Sequence, residues 1–431
     1  MKREIVYYLL FLCVLTTEAV GQKFVQVEHG GFVHQGKPYH FLGTNFWYGM
    51  NLGHEDKERL VRELDRLEDL GVKNLRIMAG SEGAEGTPWR MQPTVQEFPG
   101  NYNEDILQGL DFLLAEMKKR NMLAVVCLNN FWPWSGGFSQ YVSWANDNEA
   151  IPYPPPAEGG DWGTYQAYAS QFYTNETAKE WFRNFIRTII ERENSLTGVA
   201  YKEDTTIMAW QLTNEPQGGA YEEAYRNWLH NTAKFIKELD GQHLVSIGSE
   251  GNTPSPQNGT NFRKDHDSPY IDYATFHVWI QNWGWYDPER AEETFDDAIL
   301  KASAYIQDHF QVANELNIPI VLEEFGISRD ANSHHFDASV SYRNRYFDFI
   351  FSTFFTYAKS IPQVSGVNFW AWGGEGRPRK AGAIWRPGDD FIGDPPHEFQ
   401  GWYSIYDHDA TTLKLISRYS SKFSKLSNEL K

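Results

Sequence analysis

Short apolar runs alternate along the chain with longer stretches in which apolar residues recur every three or four positions. The short runs are typical of strands buried on both faces, and the longer stretches are typical of amphipathic helices. In Lys57–Leu70, for example, Leu60, Leu64 and Leu67 share one helical face. Regular alternation of the two patterns predicts βα units and a parallel sheet.

The pattern predicts eight strands, each followed by a helix except at one crossover. The predicted strands are Tyr39–Asn45, Asn74–Met78, Leu123–Asn129, Thr206–Thr213, Leu244–Gly248, Tyr273–Val278, Ile318–Glu323 and Gly366–Trp370. The predicted helices are Lys57–Leu70, Asp105–Arg120, Ala178–Arg192, Tyr221–Leu239, Glu292–Leu316, Ser339–Lys359 and Leu413–Leu430. The fifth strand is the one with no clear long helix after it. We predict an α/β fold, a closed (β/α)8 TIM barrel, because no glycine-rich phosphate fingerprint follows the first strand.

Long irregular segments follow four of the predicted strands. They are Gly80–Asn103, Asn130–Tyr173, Glu250–Pro269 and Trp372–Gly401. Loops of this length in a compact domain are usually functional. Because the carboxyl ends of the strands form the active face of a barrel, we expect these long loops to surround a site there.

The first residues are typical of an export signal. Lys2 and Arg3 precede the apolar run Ile5–Leu15, and small residues follow before Gln22. We expect residues 1–21 to be removed, leaving 22–431 as a single domain of a secreted protein. No later segment is long enough to span a bilayer. Cys127 is then the remaining cysteine, and we expect it to be a buried apolar residue.

Composition narrows the range of partners. A net charge of -18 and a sequence pI near 5.2 argue against nucleic acid and anionic membranes. Aromatic residues make up 16% of the chain, with 16 Trp, which leaves rings to line a cleft. A neutral substrate is compatible with these values, and we expect a monomer.

Two of the apolar runs end in glutamates. Glu215 closes the run that begins at Trp210, and Glu323 and Glu324 close the run that begins at Ile318. Cleavage of a glycosidic bond requires one carboxylic acid to protonate the leaving oxygen and a second carboxylate facing the anomeric carbon. Side chains on a strand alternate between faces, so we expect only one member of the Glu323–Glu324 doublet to point inward.

The residues around these glutamates resemble glycoside hydrolase family 5, a group of retaining β-glycanases on (β/α)8 barrels. The resemblance rests on Asn214-Glu215-Pro216 after the fourth strand and Glu324-Phe325-Gly326 after the seventh. It covers essentially the whole chain after the signal. Within the family, Gly43–Tyr48, Asn129-Asn130 before Phe131-Trp132, and Phe369–Trp372 look most like the endo-β-1,4-mannanases.

This resemblance implies that Glu215 is the acid/base and that Glu324 is the nucleophile. Because Glu215 must donate a proton, its pKa must be raised until the reaction begins. Glu323 is then a supporting carboxylate. The implied substrate-binding residues include Arg76, which would hold Glu324 ionised, and Asn214, which would bond the sugar 2-OH. The remaining implied binding residues are His277 as an orienting group, Trp370 as a stacking platform, and Asn130, Trp47, Trp279 and Trp372. For Trp47 and Trp372, packing is an equal alternative.

Two positions depart from the family pattern. Trp279 stands where the family often has a Tyr that bonds the nucleophile, so its indole either donates such a bond or walls a subsite. Gln217 stands where plant and fungal mannanases often have Arg, which puts in doubt a charge-assisted contact to the leaving-side sugar.

The leading hypothesis is a secreted endo-β-1,4-mannanase that hydrolyses mannan, glucomannan or galactomannan. A cellulase of the same fold is the nearest alternative, and a carbohydrate-binding protein without activity is a third. The 13 His show no HExxH spacing, so a metal hydrolase is disfavoured and we expect no metal and no cofactor. Asn175 and Asn258 begin glycosylation sequences.

Overall fold

A computed structural model describes residues 23–429. Eight parallel strands form the barrel. They are β1 (Phe41–Asn45), β2 (Asn74–Met78), β3 (Leu123–Cys127), β4 (Ile207–Gln211), β5 (Leu244–Ser246), β6 (Ala274–Val278), β7 (Ile320–Phe325) and β8 (Val364–Phe369). Their order in the sheet is β5-β4-β3-β2-β1-β8-β7-β6. Between β5 and β6 the barrel is joined by Asp272 N–H donating to Val245 O at 2.9 Å and His277 N–H donating to Glu250 O at 3.1 Å. The predicted (β/α)8 barrel is confirmed.

Every residue of the eight barrel strands is buried. Helices cover the outer face of the barrel and side chains fill its interior. Both faces of each strand are therefore buried, which explains why the strand sequences are continuous apolar runs rather than alternating apolar and polar residues. Several strands are shorter than predicted at the carboxyl end. β4, for instance, ends at Gln211 rather than Thr213. The residues beyond the pairing, including Asn214 and Glu215, leave the sheet and form the rim of the barrel.

The helices surround this barrel in chain order. They are α1 (Gly49–Glu55), α2 (Lys57–Asp69), α3 (Glu104–Lys119), α4 (Gly137–Ala145), α5 (Trp162–Ala169), α6 (Glu176–Ile190), α7 (Glu222–Leu239), α8 (Phe262–His266), α9 (Ala291–Leu316), α10 (Ser341–Ala358) and α11 (Ala410–Glu429). The crossover after β5 carries only the short α8, as the sequence indicates. The segment predicted to be irregular after β3 contains α4 and α5, so that prediction was wrong in part.

Short strands complete the molecule. The pairs Gln96–Phe98 with Asn101–Tyr102 and Trp372–Gly374 with Ile405–Tyr406 lie in the long loops. A small antiparallel sheet, Gln26–Glu28, Gly31–His34 and Lys37–Pro38, precedes β1. Its Phe32 ring lies 5.2 Å from that of Tyr273 and belongs to one buried apolar cluster with Leu123 and Val125 of β3. The amino-terminal end of the barrel is therefore sealed by apolar contact, and the opposite end carries the long loops.

The predicted signal, residues 1–21, lies outside the described residues. Across residues 23–429, no helix combines the length and apolarity that a bilayer crossing needs. Cys127 is buried and free on β3. Burial raises the pKa of its thiol to about 12, so it packs as a neutral, apolar group.

Candidate active site

Glu215 and Glu324 meet at the carboxyl end of the barrel. Glu215 lies just past β4 and Glu324 lies in β7, with exposures of 7% and 2%. One carboxylate oxygen of each, together with a ring nitrogen of His277, lie within 4.8 Å of one another. The two glutamates, over a hundred positions apart in the chain, therefore converge on a space the size of one sugar ring.

A bulge in β7 changes the expected arrangement of the glutamate doublet. Phe276 and His277, consecutive on β6, pair with Leu322 and Glu324, so Glu323 is the extra residue. Glu323 is fully buried, and both it and Glu324 face Arg76 inside the barrel. The expectation that only one member points inward was wrong, because a bulge interrupts the alternation of a strand and re-aims a side chain.

Arg76 on β2 organises the floor of the site. Its Nη1 donates to Glu324 Oε1 and, at 3.1 Å, to Asn45 Oδ1. Its Nη2 donates to Asn214 Oδ1 at 2.7 Å, and its Nε donates to Gln211 Oε1 at 2.7 Å. A guanidinium is planar and offers only donors, so four acceptors around it fix both its position and theirs.

Glu215 accepts from three side chains. His277 Nδ1 and Trp279 Nε1, the latter at 3.2 Å, contact Oε1, and Trp132 Nε1 donates to Oε2. His277 Nδ1 also lies 3.4 Å from Glu324 Oε2, so the imidazole bridges the two carboxylates. Trp279 thus donates to the expected acid/base rather than to the expected nucleophile.

The two carboxyl groups differ in their electrostatic surroundings. Burial, which would raise the pKa of Glu215, is outweighed by His277, Trp132 and Arg76, and the pKa lies below its ordinary value. Burial and the charge of Glu215 raise the pKa of Glu324 well above its ordinary value, against the attraction of Arg76. The raised pKa expected for Glu215 is therefore not found in the free site, because three N–H donors favour its ionised form.

Asn214 and Asn130 form the wall between β3 and β4. Asn214 Nδ2 donates to Asn130 Oδ1 at 3.1 Å, and Trp132 N–H donates to the same oxygen at 3.0 Å. Trp370 stands at the end of β8, its ring 6.0 Å from that of Trp279. Among the described residues Trp370 Nε1, Asn130 Nδ2 and His277 Nε2 are buried without a hydrogen-bond partner. Such unpaired polar atoms are the groups that a bound sugar can satisfy.

Two predicted residues lie behind the site rather than in it. Trp372 is fully buried and donates to Glu63 Oε2 of α2 at 3.0 Å. Trp47 is 2% exposed, donates to Gly393 O at 3.0 Å and touches Trp134, whose ring in turn lies 6.2 Å from that of Trp370. Trp372 is therefore a packing residue. Trp47 packs against Trp134, which in turn contacts the expected stacking residue Trp370.

Several residues of the site were missed. Trp132 contacts Glu215 directly, and its position two residues after Asn130, close to a strand end, was the available signal. Glu250 lies within interaction range of Glu215, and Gln217 Nε2 is 3.4 Å from Glu250 Oε2. Burial and the charge of Glu215 raise the pKa of Glu250 well above its ordinary value. Gln211 and Asn45 had no signal in the sequence, because an amide on a buried strand is usually structural.

Among residues 23–429, one group of side chains has ligand atoms spaced closely enough to hold a metal ion. This group consists of Glu215, His277 and Glu324. The positive charge of Arg76 against Glu324 opposes a cation there. The arrangement is better suited to acid/base and nucleophilic chemistry, since each carboxylate has its own hydrogen-bond donors and both face one space.

Two buried carboxyl groups that face each other at the mouth of a (β/α)8 barrel are the arrangement that glycoside hydrolases use. A family model described as "GH family 5 beta-mannosidase-like" matches residues 22–428. The chain belongs to glycoside hydrolase family 5.

Individual proteins agree with this assignment. The chain is 33% identical over 357 residues to mannan endo-1,4-beta-mannosidase 1 of Solanum lycopersicum, a match covering 79% of this chain and 82% of that one. It is similar to the crystal structure of a family 5 mannosidase from Rhizomucor miehei, with 38% identity, a TM-score of 0.87, and coverage of 94% of this chain and 99% of that chain. A glutamate-to-alanine mutant of that mannosidase, solved in complex with mannosyl-fructose, has a TM-score of 0.86 over the same shares at 38% identity.

Proposed function

We propose that this glycoside hydrolase is an endo-β-1,4-mannanase that cleaves mannan, glucomannan or galactomannan with retention of configuration. The observation that carries the mechanism is the convergence of Glu215 and Glu324, whose oxygens approach within 4.8 Å of each other. Retaining glycosidases hold their two carboxyl groups about 5–5.5 Å apart, whereas inverting enzymes need a wider gap for a water molecule.

The proposed reaction has two displacements. In the first, a carboxylate oxygen of Glu324 bonds to the anomeric carbon while the bond from that carbon to the leaving oxygen breaks, and Glu215 gives its proton to the leaving oxygen. In the second, Glu215 removes a proton from water as the water oxygen replaces Glu324 at the same carbon. Arg76, touching Glu324, stabilises the carboxylate that leaves in the second step.

Glu215 must carry a proton when the sugar is bound. With their oxygens within 4.8 Å of each other, the two carboxyl groups do not both ionise readily, and one proton is shared by the pair in the active form. The free site favours this proton on Glu324, whose pKa is raised, so we propose that sugar binding moves it to Glu215 and leaves Glu324 ionised against Arg76. A bell-shaped dependence of kcat/KM on pH is expected, and an activity that rises steadily with pH would contradict a protonated acid.

The choice of mannan follows the relatives. The tomato protein is named a mannan endo-1,4-beta-mannosidase, and the R. miehei protein is named a mannosidase. Reducing-sugar release from mannan and from carboxymethylcellulose, measured side by side, tests it. We expect mannan to be preferred, and preference for cellulose would identify a cellulase of the same fold. Binding of mannan without any cleavage would support the non-catalytic alternative.

A second candidate is the removal of mannose from chain ends, and one contact favours it. The loop after β3 meets the loop after β8 beside Glu215, because the Trp162 ring lies 5.5 Å from that of Trp132 and 6.0 Å from that of His397. Next to it Glu398 Oε2 is buried without a hydrogen-bond partner among the described residues, and burial together with nearby acidic charge raises its pKa. A cleft bridged by these two loops, with the Glu398 carboxyl group still lacking a partner, is suited to binding the terminal sugar of a mannan chain.

Product analysis separates the two modes. An endo-acting enzyme lowers the viscosity of galactomannan early and releases mixed oligosaccharides from mannohexaose. Release of mannose alone, with viscosity unchanged at the same number of bonds cleaved, would favour the terminal mode. Trp162→Ala, which opens the bridge, should then increase the share of oligosaccharides, while Trp285→Ala, in another loop, serves as the matched control.

We also propose that the protein is secreted. The basic residues and apolar run of residues 1–21 support this proposal. Expression of the full chain in a eukaryotic host should yield active protein in the medium whose first residue is near Gln22. A chain retained inside the cell with Met1 intact would contradict the proposal.

A further inference from the structure

A second buried glutamate lies directly beneath the nucleophile. Glu323 is fully buried and is the residue that the β7 bulge adds between Leu322 and Glu324. Its two side-chain oxygens accept from Gln211 Nε2 at 2.9 and 2.7 Å. Burying a carboxylate is unfavourable unless it is paired, so its presence at this depth calls for a partner of opposite charge.

That partner is Arg76. Arg76 Nε lies 3.6 Å from Glu323 Oε2, and Gln211 Oε1 accepts from the same Nε at 2.7 Å. An arginine only donates and a carboxylate only accepts, so the Gln211 amide between them has a single satisfactory orientation. The chain of contacts runs from Glu323 through Gln211 to one edge of the guanidinium, while the opposite edge contacts Glu324.

One positive charge therefore serves two carboxylates. Asn45, held by its own Nδ2 donating to Glu323 O at 2.7 Å, adds an acceptor at Arg76 Nη1. The Glu323 backbone and side chain thus both contribute to the position of the guanidinium. A displacement of about 1 Å in such a group costs a large factor in rate, because the reacting oxygen moves with it.

We propose that Glu323 is a positioning residue for attack by Glu324: it fixes Arg76 through Gln211 and divides the attraction of the guanidinium between two carboxylates. A nucleophile that received all of this attraction would be more stable as a free carboxylate and slower to bond to the anomeric carbon. The inference rests on the proposed retaining function.

Other charged or titratable groups face Glu323 and Glu324. Their charges must be considered before the direction of a change in the pKa of Glu324 can be predicted. They are Arg76 on β2, Cys127 on β3, Glu215 after β4, Tyr273 before β6 and His277 on β6. Burial raises the pKa of the Cys127 thiol and of the Tyr273 hydroxyl, so both stay neutral. Burial raises the pKa of Glu323, against the attraction of Arg76 and the hydrogen bond from Gln211. The negative charge that Glu323 carries contributes to raising the pKa of Glu324, so neutralising Glu323 lowers it.

Glu323→Gln is the test, because Gln is nearly isosteric and its Oε1 still accepts from Gln211. The assay is release of the aryl group from an aryl β-mannobioside across pH. We expect the acid limb of kcat, measured at saturating substrate, to move to lower pH by about half a unit or more, and kcat/KM at its optimum to fall about tenfold. Glu323→Asp keeps the charge, and its acid limb should remain at the wild-type pH.

Asp111→Asn is the matched control. Asp111 is a fully buried carboxylate on α3 that accepts from Arg192 Nε at 2.9 Å and Tyr201 at 2.6 Å, away from the site. It should lower the melting temperature without moving the acid limb. An acid limb in Glu323→Gln that matches the wild type and this control would overturn the inference. If Glu323→Gln does not fold, an acid limb that shifts in Glu323→Asp would overturn it instead. Wild-type protein that does not cleave the substrate would contradict the proposed function itself.

Discussion

Glu215 has a φ of 50°, in the left-handed region that residues other than glycine rarely adopt. Its N–H donates to Gly248 O at 2.8 Å, so the turn after β4 is held to the loop after β5. Such a conformation is unfavourable by about 1–3 kcal/mol and persists where the surroundings require it. Here it turns the carboxylate out of the strand direction toward His277 and Glu324.

Removal of the acid/base gives the first prediction at this scale. Glu215→Ala should lower kcat for mannan about a thousandfold, because no group protonates a sugar leaving oxygen. A dinitrophenyl β-mannobioside, whose leaving group needs no proton, should still react in the first step. Added azide should then restore turnover and give the β-mannobiosyl azide. A variant equally slow on both substrates would contradict this role.

Trp132 gives the second prediction, since its N–H contributes to holding the pKa of Glu215 low. Trp132→Phe keeps an aromatic ring and loses the donor, so the pKa of Glu215 should rise and the basic limb of kcat, measured at saturating substrate, should move to higher pH. Trp162→Phe, which alters a neighbouring ring without touching Glu215, is the control. A basic limb that moves to lower pH in Trp132→Phe would contradict this reading of the contact.

At the scale of elements, strand identities could be predicted because each barrel strand is a buried apolar run bounded by polar residues. The ends of two such runs placed Glu215 and the Glu323–Glu324 doublet, and the family resemblance then selected Glu324. The bulge at Glu323 could not be predicted, since it depends on pairing between β6 and β7, which are distant in the chain. The helices α4 and α5 were missed because glycine, proline and aromatic residues conceal helical periodicity in that loop.

Trp372 gives the prediction for the elements. It ties the strand after β8 to α2 through Glu63, which also pairs with Arg59 at 3.3 Å. Trp372→Phe should lower the free energy of unfolding by about 1–2 kcal/mol through the lost hydrogen bond, with kcat/KM of the folded enzyme within about twofold of wild type. A large rise in KM with unchanged stability would contradict the packing role and would show that Trp372 contacts the substrate.

At the scale of the whole molecule, buried acids set the dependence of stability on pH. Burial raises the pKa of Glu82 to about 8 and that of Asp265 to about 7. A carboxyl group whose pKa is higher in the folded state contributes stability that is complete below its unfolded pKa and is lost as pH rises through the folded value. The net charge of -18 acts in the same direction, because self-repulsion grows as acids ionise.

The melting temperature should therefore be higher near pH 5 than near pH 8. Glu82→Gln, which removes the cost of ionising a fully buried carboxyl, should flatten this dependence and raise the melting temperature at pH 8. Glu97→Gln, in the same loop region, is the control and should leave the slope unchanged. A wild-type melting temperature that rises between these two pH values would contradict the raised pKa of Glu82.

Covalent trapping tests the central claim, that Glu215 and Glu324 act on one sugar from two sides. A 2-deoxy-2-fluoro-β-mannosyl fluoride slows the second displacement more than the first, so the sugar should accumulate on the enzyme. Peptide mass spectrometry should place it on Glu324, with no label in Glu324→Gln. A label on another residue, or products released with inverted configuration, would contradict the account.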